Sequence, residues 1–476
     1  MSSSFDHGVE YSSSTSATTI PVEKLTDPAL NILYVRLQWV DLINNVRCRV
    51  IPLSYFLKLL ASSRPGVGIA KVCLGLVYLI AAPGFQPSGE YLYVPDLSTI
   101  RPCPYSPGEV SLFGWFQEKT PYLGVDNKLT VEVELCPRAT LRRIVRESSN
   151  AGVDYLVGFE SEFVLLKSTK PVEAASYHSW TTTNALPSGS IVSKVLKEIA
   201  DGIQASGIEL QMYHAEASPG QYEVVTGPLP PLESADALIH TREIIYNTAA
   251  KYGLRATFAP RIYMDSAGSS AHAHISVHSK DYTKFAGTLS PVESSFLAAV
   301  LANLPALTAV TLPIPASYKR MTDGVWSGGT YINWGTENRE APVRLSNATS
   351  PSSRNFEIRF VDGTANPYLA LAAILGAGFA GIRDKAKLTI KDCSGPQTAA
   401  QMTEEQRQAL GITQRLSLTW EEARGQLTNN ALLRDRIFGA ALTEKYLAVN
   451  QTLASALALQ DGDDEVAALT RLVEFY

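Results

Sequence analysis

No Cys-x-x-Cys spacing occurs in this chain: its five cysteines, Cys48, Cys73, Cys103, Cys136 and Cys393, are scattered and odd in number. That argues against a disulfide framework and a thiolate metal site, and it fits a reducing compartment, the cytoplasm. A basic stripe is missing as well. With 41 Lys+Arg against 46 Asp+Glu, the net charge is −5 and the signs are mixed, so no nucleic-acid partner is expected. Long apolar runs are scarce; "CLGLVYLIAAPGF" is too short to span a bilayer and ends in Pro and Gly. It reads as a buried core segment, and no membrane partner is expected. Neither a GxxxxGK(S/T) loop nor a kinase signature is found, so any nucleotide must be held in another way. The opening "MSSSFDHGVEYSSSTSATT" has no apolar core. Residues 1–24 therefore read as a disordered Ser/Thr-rich arm, not a signal peptide.

What is present fills 476 residues, enough for more than one domain. Residues 25–117 show strand-like pieces ("LYVRLQWVDL", "RCRVIPLSYFLKLL", "EYLYVPDLSTIRPCPY") separated by proline, as in a small mixed α/β domain. Helical patterns follow in "PRATLRRIVRESSNAG", "LIHTREIIYNTAAKYG" and "SSFLAAVLANLPALTAVTL". Residues 167–190 are polar and read as a loop, and the C-terminal segment reads as helical.

Three strand-like segments share one oddity. Side chains two apart on a strand point to the same face. In "FESEF", Glu160 and Glu162 oppose Phe159 and Phe163. In "AHAHISVH", His272, His274, Ser276 and His278 alternate with Ala271, Ala273, Ile275 and Val277. In "NFEIRFVD", Glu357 and Arg359 oppose Phe356, Ile358 and Phe360. A fourth segment, "YHAEASPGQYEVV", brings Glu216 and Glu223 around a Pro-Gly turn. Each alone is compatible with a solvated strand face. Together they describe one polar cavity whose carboxylates repel unless cations sit between them. Oxygen ligands with one imidazole suit Mg²⁺ or Mn²⁺. Two such ions beside Arg320, Arg339, Arg344, Arg354 and Arg359 are the usual apparatus of phosphoryl transfer. A glycosidase would need only two acids and leaves the histidines and arginines without a purpose.

These segments, in this order, resemble the motifs of the glutamine synthetase family. "GFESEF" and "HAEASPGQYE" are similar to its two metal motifs, "AGSSAHAHIS" to its ATP-side motif, and "PASYKR", "ENREAPVRL" and "FEIRFVDGTANPYLALAAIL" to its later signatures. "YVPDLSTIRPCPY" resembles a segment of its N-terminal domain. The resemblance implies an α+β fold: a small N-terminal β-grasp domain at 25–125, then a catalytic domain at 126–476. The catalytic domain would hold a curved antiparallel β-sheet, a half-barrel or funnel, backed by helices. It implies that Glu162, Glu216 and Glu223 hold a glutamate-side metal, and Glu160, His272 and Glu357 an ATP-side metal. His274, Ser276, Arg344 and Arg354 would lie along the nucleotide, and Arg339 and Arg344 would stabilise the transferred phosphoryl group. Arg320, Arg359 and the Gly268 backbone would grip glutamate. The implied reaction is ATP-dependent ligation through γ-glutamyl phosphate, in a large homo-oligomer of stacked rings with active sites between subunits.

The chain departs from the family where ammonium is handled. "SYKRMTDGVWSGG" puts Trp326 at the place of the flap acid, and no D-G-S-S loop occurs in residues 61–90. Ala267 stands where the family usually has Asn, and no adenylylation loop is evident. An indole removes the anion that holds NH₄⁺ and offers a face to an organic amine. The expected acceptor is therefore an organic amine, with Trp326 in the catalytic set. The alternatives are a true ammonium-using enzyme, with Asp323 or Glu337 as the deprotonating acid, and a weak or inactive synthetase-like scaffold or signalling protein. The complete set of presumed metal ligands favours the enzyme.

Overall fold

The computed structural model describes residues 5–124 and 127–476, so the expected boundary at 125/126 lies outside the described residues. In the N-terminal part, Tyr34–Val40 pairs antiparallel with Val46–Pro52 and parallel with Glu109–Leu112, and Arg101–Pro102 completes a four-stranded sheet. Val35, Leu37 and Trp39 alternate along the first strand and are buried. Leu129–Glu132, Gly114–Leu123, Glu90–Pro95 and Val67–Ala70 form a second four-stranded sheet.

Two sequence expectations change here. "SYFLKLL" continues no strand: after Pro52 the chain turns into the helix Leu53–Leu60, whose Phe56 is buried. The apolar run near Cys73 is only half interior. Cys73, Leu74 and Val77 are buried, whereas a small hairpin exposes Tyr78, Leu79 and Ile80.

Residues 5–24 are not a free arm. The Thr18 N–H donates to Gly207 O (3.0 Å), the Ile20 N–H to Ile100 O (2.8 Å), and Arg101 donates to Thr18 O (2.9 Å). On the arm's side these bonds use main-chain atoms, which a Ser/Thr-rich composition neither provides nor forbids.

The larger part is built on a nine-stranded sheet. Its path runs Leu210–Ala215, Gln221–Leu229, Val153–Thr169, Ala273–Ser279, Asn355–Ile358, Val343–Ser346, Trp334–Thr336. Pairing is antiparallel except between the last two, which are parallel. Val153–Thr169 is the central strand and also carries the short strands Val172–Ala174 and Arg255–Thr257. The expected 167–190 loop thus begins only after a final strand pairing.

Helices Pro137–Asn150, Pro231–Lys251, Pro291–Thr311 and Pro367–Arg383 bury the apolar residues behind this sheet. Pro291–Thr311 is long and apolar enough to cross a membrane by composition, but 78% of its apolar window is buried within the fold. It packs on Pro367–Arg383, where a Cβ on Gly378 would collide with the Phe296 ring. Only glycine permits that approach.

Candidate active site

The register turns sequence motifs into rows across one sheet face. His214 lies opposite Glu223, and Glu223 opposite Glu162. His274 lies opposite Glu357, and Glu357 opposite Arg344. Directly opposed residues on neighbouring strands share a face. Strand pairing therefore assembles two clusters from segments separated along the chain, with Glu160 and His272 112 residues apart in the first.

The first cluster centres on Glu160. Its carboxylate takes hydrogen bonds from His272 Nδ1 (2.8 Å) and His274 Nε2 (3.0 Å), and Glu357 Oε1 is 3.4 Å from His272 Nδ1. The ligand atoms of Glu160, His274 and Glu357 all lie within 4.8 Å of one another. Burial works to raise both acids, but the imidazoles of His274 and His272 hold Glu160 well below the usual range. Arg359 and the same imidazoles bring Glu357 down to about 2. Burial lowers His272 to about 4, while Glu160 overcomes burial to raise His274 to about 9.

The second cluster joins His214 Nε2 to Glu223 (3.1 Å) and His214 Nδ1 to Glu216 (3.4 Å). Burial, with repulsion from neighbouring carboxylates, lifts Glu216 to about 7 and Glu223 to about 8. Glu162 stands beside them but is held by the Ser270 N–H (3.0 Å), the Ser270 hydroxyl and Gln221 Nε2 (3.1 Å). Buried carboxylates raised by one another are a donor set that a divalent cation relieves. The buried His272 Nε2 has no hydrogen-bond partner among the described residues. The residues thus fit oxygen-rich Mg²⁺ or Mn²⁺ sites.

Two guanidinium groups sit next to the acids. Arg320 is buried, donates to Arg359 O (2.9 Å), and is drawn toward Glu162 and Asp362. Arg359 is buried, bonds Glu357, and donates to Trp326 O (2.7 Å). The Nε–H of each is buried with no acceptor among the described residues. Gly268 lies against Arg320, and its carbonyl accepts from Gln221 (3.0 Å). Arg344 bridges Glu357 (2.9 Å) and Glu337. His274 and Ser276 line an open cleft of about 670 Å³ beyond Glu160.

Residues 134–467 match the family described as "Glutamine synthetase, catalytic domain". This chain belongs to the glutamine synthetase family. Protein fluG of Emericella nidulans is 34% identical over 475 residues, covering 97% of this chain and 50% of fluG. The chain therefore spans about half the length of that relative. Gamma-glutamylpolyamine synthetase GlnA3 of Streptomyces coelicolor is 29% identical over 460 residues, 92% of each protein. A solved structure of GmaS with ADP has the same fold, with a TM-score of 0.74 at 22% identity, covering 93% of this chain and 98% of that one.

This glutamine synthetase-family chain stands in a divergent branch, and its structure places the remaining candidates unevenly. Arg354 lines the same cleft as His274 and Ser276, and its guanidinium forms a two-pronged pair with buried Glu293 (3.1 and 2.7 Å) and donates to Phe285 O (2.6 Å). Arg339 is exposed in a turn. Trp326 has φ 59° and is 63% exposed, so its indole is open to solvent within the single chain. Its backbone is engaged instead, with the N–H donating to Glu340 and the carbonyl accepting from Arg359.

The sequence reading assigned no role to His214, Gln221, Ser270 or Glu340. His214 and Gln221 lie in a motif marked by its acids and Ser270 in one marked by its histidines, so each is overshadowed by a stronger neighbouring signal. Glu340 is buried and binds the Gly324 N–H (2.9 Å) as well as that of Trp326. Only the folded loop reveals it.

Proposed function

We propose that this chain is an ATP-dependent carboxylate–amine ligase that joins glutamate to an organic amine in preference to ammonium. The observation that carries this reading is the shared sheet face. Two donor clusters lie there; buried Arg359 bonds Glu357 of one, and Glu160 and His274 of the same cluster line an open cleft. The unpartnered Nε–H groups of both arginines suit a substrate carboxylate, and Arg344 beside Glu357 suits a transferring phosphoryl group.

On this reading Glu162, Glu216 and Glu223 face the glutamate-side ion, joined by His214. Glu160, His272 and Glu357 face the ATP-side ion. Bound Mg²⁺ or Mn²⁺ supplies neutralisation of the phosphate charge. The chain's own groups position the reactants: Arg320, Arg359 and Gly268 orient glutamate, while His274 and Ser276 line the nucleotide path and Arg339 and Arg344 meet the phosphoryl group. A glutamate γ-carboxylate oxygen attacks the terminal phosphorus of ATP and ADP leaves. The amine nitrogen then attacks the acyl carbon, expelling phosphate and giving up a proton.

The acids once considered for ammonium are occupied. Asp323 accepts from the Thr330 N–H (2.8 Å) and hydroxyl, and Glu337 pairs with Arg344 and the Asn347 N–H (2.7 Å). This supports an organic acceptor, as does the gamma-glutamylpolyamine synthetase name of one relative.

The finer architecture belongs to the same reading. The N-terminal sheets form a β-grasp domain, the large sheet is a funnel, and subunits stack as rings that share active sites. The five free cysteines support a cytoplasmic setting. Phosphate release from ATP and glutamate, measured across alkyl amines, polyamines and ammonium, is expected to be fastest with an organic amine. It should be lost in Glu162→Ala. Full turnover with ammonium alone would overturn the amine preference, and no turnover with any amine would favour a scaffold.

A further inference from the structure

The N-terminal arm, which no family motif covers, is tied to both margins of the cleft beyond Glu160. On one margin the His7 N–H donates to Ser350 Oγ (3.0 Å), His7 Nδ1 meets the same hydroxyl (2.8 Å), and Ser353 Oγ donates to His7 O (2.6 Å). Gly8 has φ 83°, and a Cβ there would strike Ser353. The arm is therefore seated by shape as well as by hydrogen bonds. On the other margin the Tyr11 hydroxyl bonds Glu209 and accepts from Gln211 Nε2 (2.7 Å).

These margins lie far apart in the sheet. Ser350 and Ser353 belong to the connection between Val343–Ser346 and Asn355–Ile358, while Gln211 is on the edge strand Leu210–Ala215. Between Leu210–Ala215 and Asn355–Ile358 run three strands, and all three contribute cleft-lining residues. Val9 and Tyr11 line the cleft together with Leu210, Met212 and Pro228. Val9 is 64% exposed and Met212 52%, so apolar surface faces open space there. Glu160 and His274 line the same cleft.

We propose that residues 7–11 of the arm form the base-side wall of the nucleotide cleft, with Tyr11 and Val9 facing a purine whose phosphates point toward Glu160 and His274. This rests on reading the cleft as the nucleotide site. A flat heteroaromatic ring is what an aromatic and apolar wall takes, and an aromatic–base contact contributes enough to change affinity severalfold to a hundredfold. The bonds at both margins hold the wall in place before the nucleotide arrives, which lowers the cost of ordering it on binding.

Calorimetry of the full chain with Mg²⁺ tests the assignment, using ATP, ADP and inorganic tripolyphosphate as probes. Tyr11→Ala is expected to weaken ATP and ADP about tenfold while leaving tripolyphosphate unchanged, and Tyr11→Phe to stay within about threefold of the parent. Limited proteolysis of the unmutated chain gives a second readout, in which ATP, but not tripolyphosphate, should slow cleavage within the arm. Unchanged ATP affinity in Tyr11→Ala, equal loss for tripolyphosphate, or unaltered arm cleavage would overturn the proposal. Tyr11-dependent ATP binding without turnover on any amine would sink the ligase reading and keep this one. Turnover with Tyr11-independent binding would do the reverse.

Discussion

Glu162 shows how a single acid can depend on neighbours that carry no charge. Its carboxylate is aimed by Ser270 and Gln221, and burial pushes it up despite those hydrogen bonds. Loss of such an orienting partner typically costs 10–100-fold in metal affinity. Gln221→Leu is therefore expected to weaken Mn²⁺ binding by about that factor, read by calorimetry, with the fold intact by circular dichroism. A different single residue should govern acid sensitivity. Burial, helped by Arg101, pushes the His240 imidazole down from 6.5 to about 3, between the Ser111 and Ser206 hydroxyls. The unfolded chain takes up this proton near pH 6.5, whereas the folded chain refuses it until about pH 3. Stability from this group is thus complete above pH 6.5 and falls through that window as the pH drops. Between pH 7 and pH 5 the unmutated chain should lose about 2 kcal/mol more than His240→Asn in urea denaturation.

The helix Pro291–Thr311 illustrates how an element anchors a residue of the cleft wall, Arg354. Ser290 and Glu293 form a reciprocal capping box at its start. The same Glu293 carboxylate also takes both prongs of Arg354, and both side chains are almost wholly buried. Breaking a buried pair costs about 3–5 kcal/mol because the remaining charge is stranded. Lys284 Nζ stays 3.8 Å from the Glu293 carboxylate, so Arg354→Ala is expected to lose about 3 kcal/mol, the low end of that range, in chemical denaturation. A loss confined to nucleotide affinity, with stability unchanged, would show that Arg354 serves the cleft it lines and not the fold. The alternation "NFEIRFVD" was legible as a strand, and its strand does carry Glu357 on the face with His274. Arg354, one residue before that strand, follows no alternation rule, so its partner was decided by where the helix start came to rest.

Across the molecule, the N-terminal sheets are locked to the large sheet's helices through Arg138. It pairs with Asp236 (2.9 and 2.7 Å) and Asp96 (2.9 Å), and Tyr368 also bonds Asp236 (2.7 Å). Trp115 lies beneath two guanidinium groups, Arg138 at 4.0 Å and Arg142 at 3.8 Å. Four segments thus meet at one cation. Arg138→Met leaves two acids without it, and the expected outcome is a loss of about 3–5 kcal/mol. Because Trp115 belongs to the N-terminal sheet, its fluorescence should report the loosened joint in the same titration. Retention of parental stability would show that the joint rests on apolar packing instead.

The alternation of acids with aromatics in Val153–Thr169, and of histidines with small apolar residues near Ala273–Ser279, is a local property. The two-residue period of a strand follows from backbone geometry, so the face that carries the acids and histidines could be read directly. The same holds for the helix Pro137–Asn150 behind it, whose buried Leu141 and Ile144 are spaced by the helical turn. Pairing between distant strands is not local. It placed His214 opposite Glu223 and turned Glu162 toward Ser270. It also gave Arg354 to Glu293 and seated the Ser/Thr-rich arm across the cleft. Those outcomes depend on which buried donors and acceptors must be satisfied once the chain has closed, and composition along the chain carries no record of them.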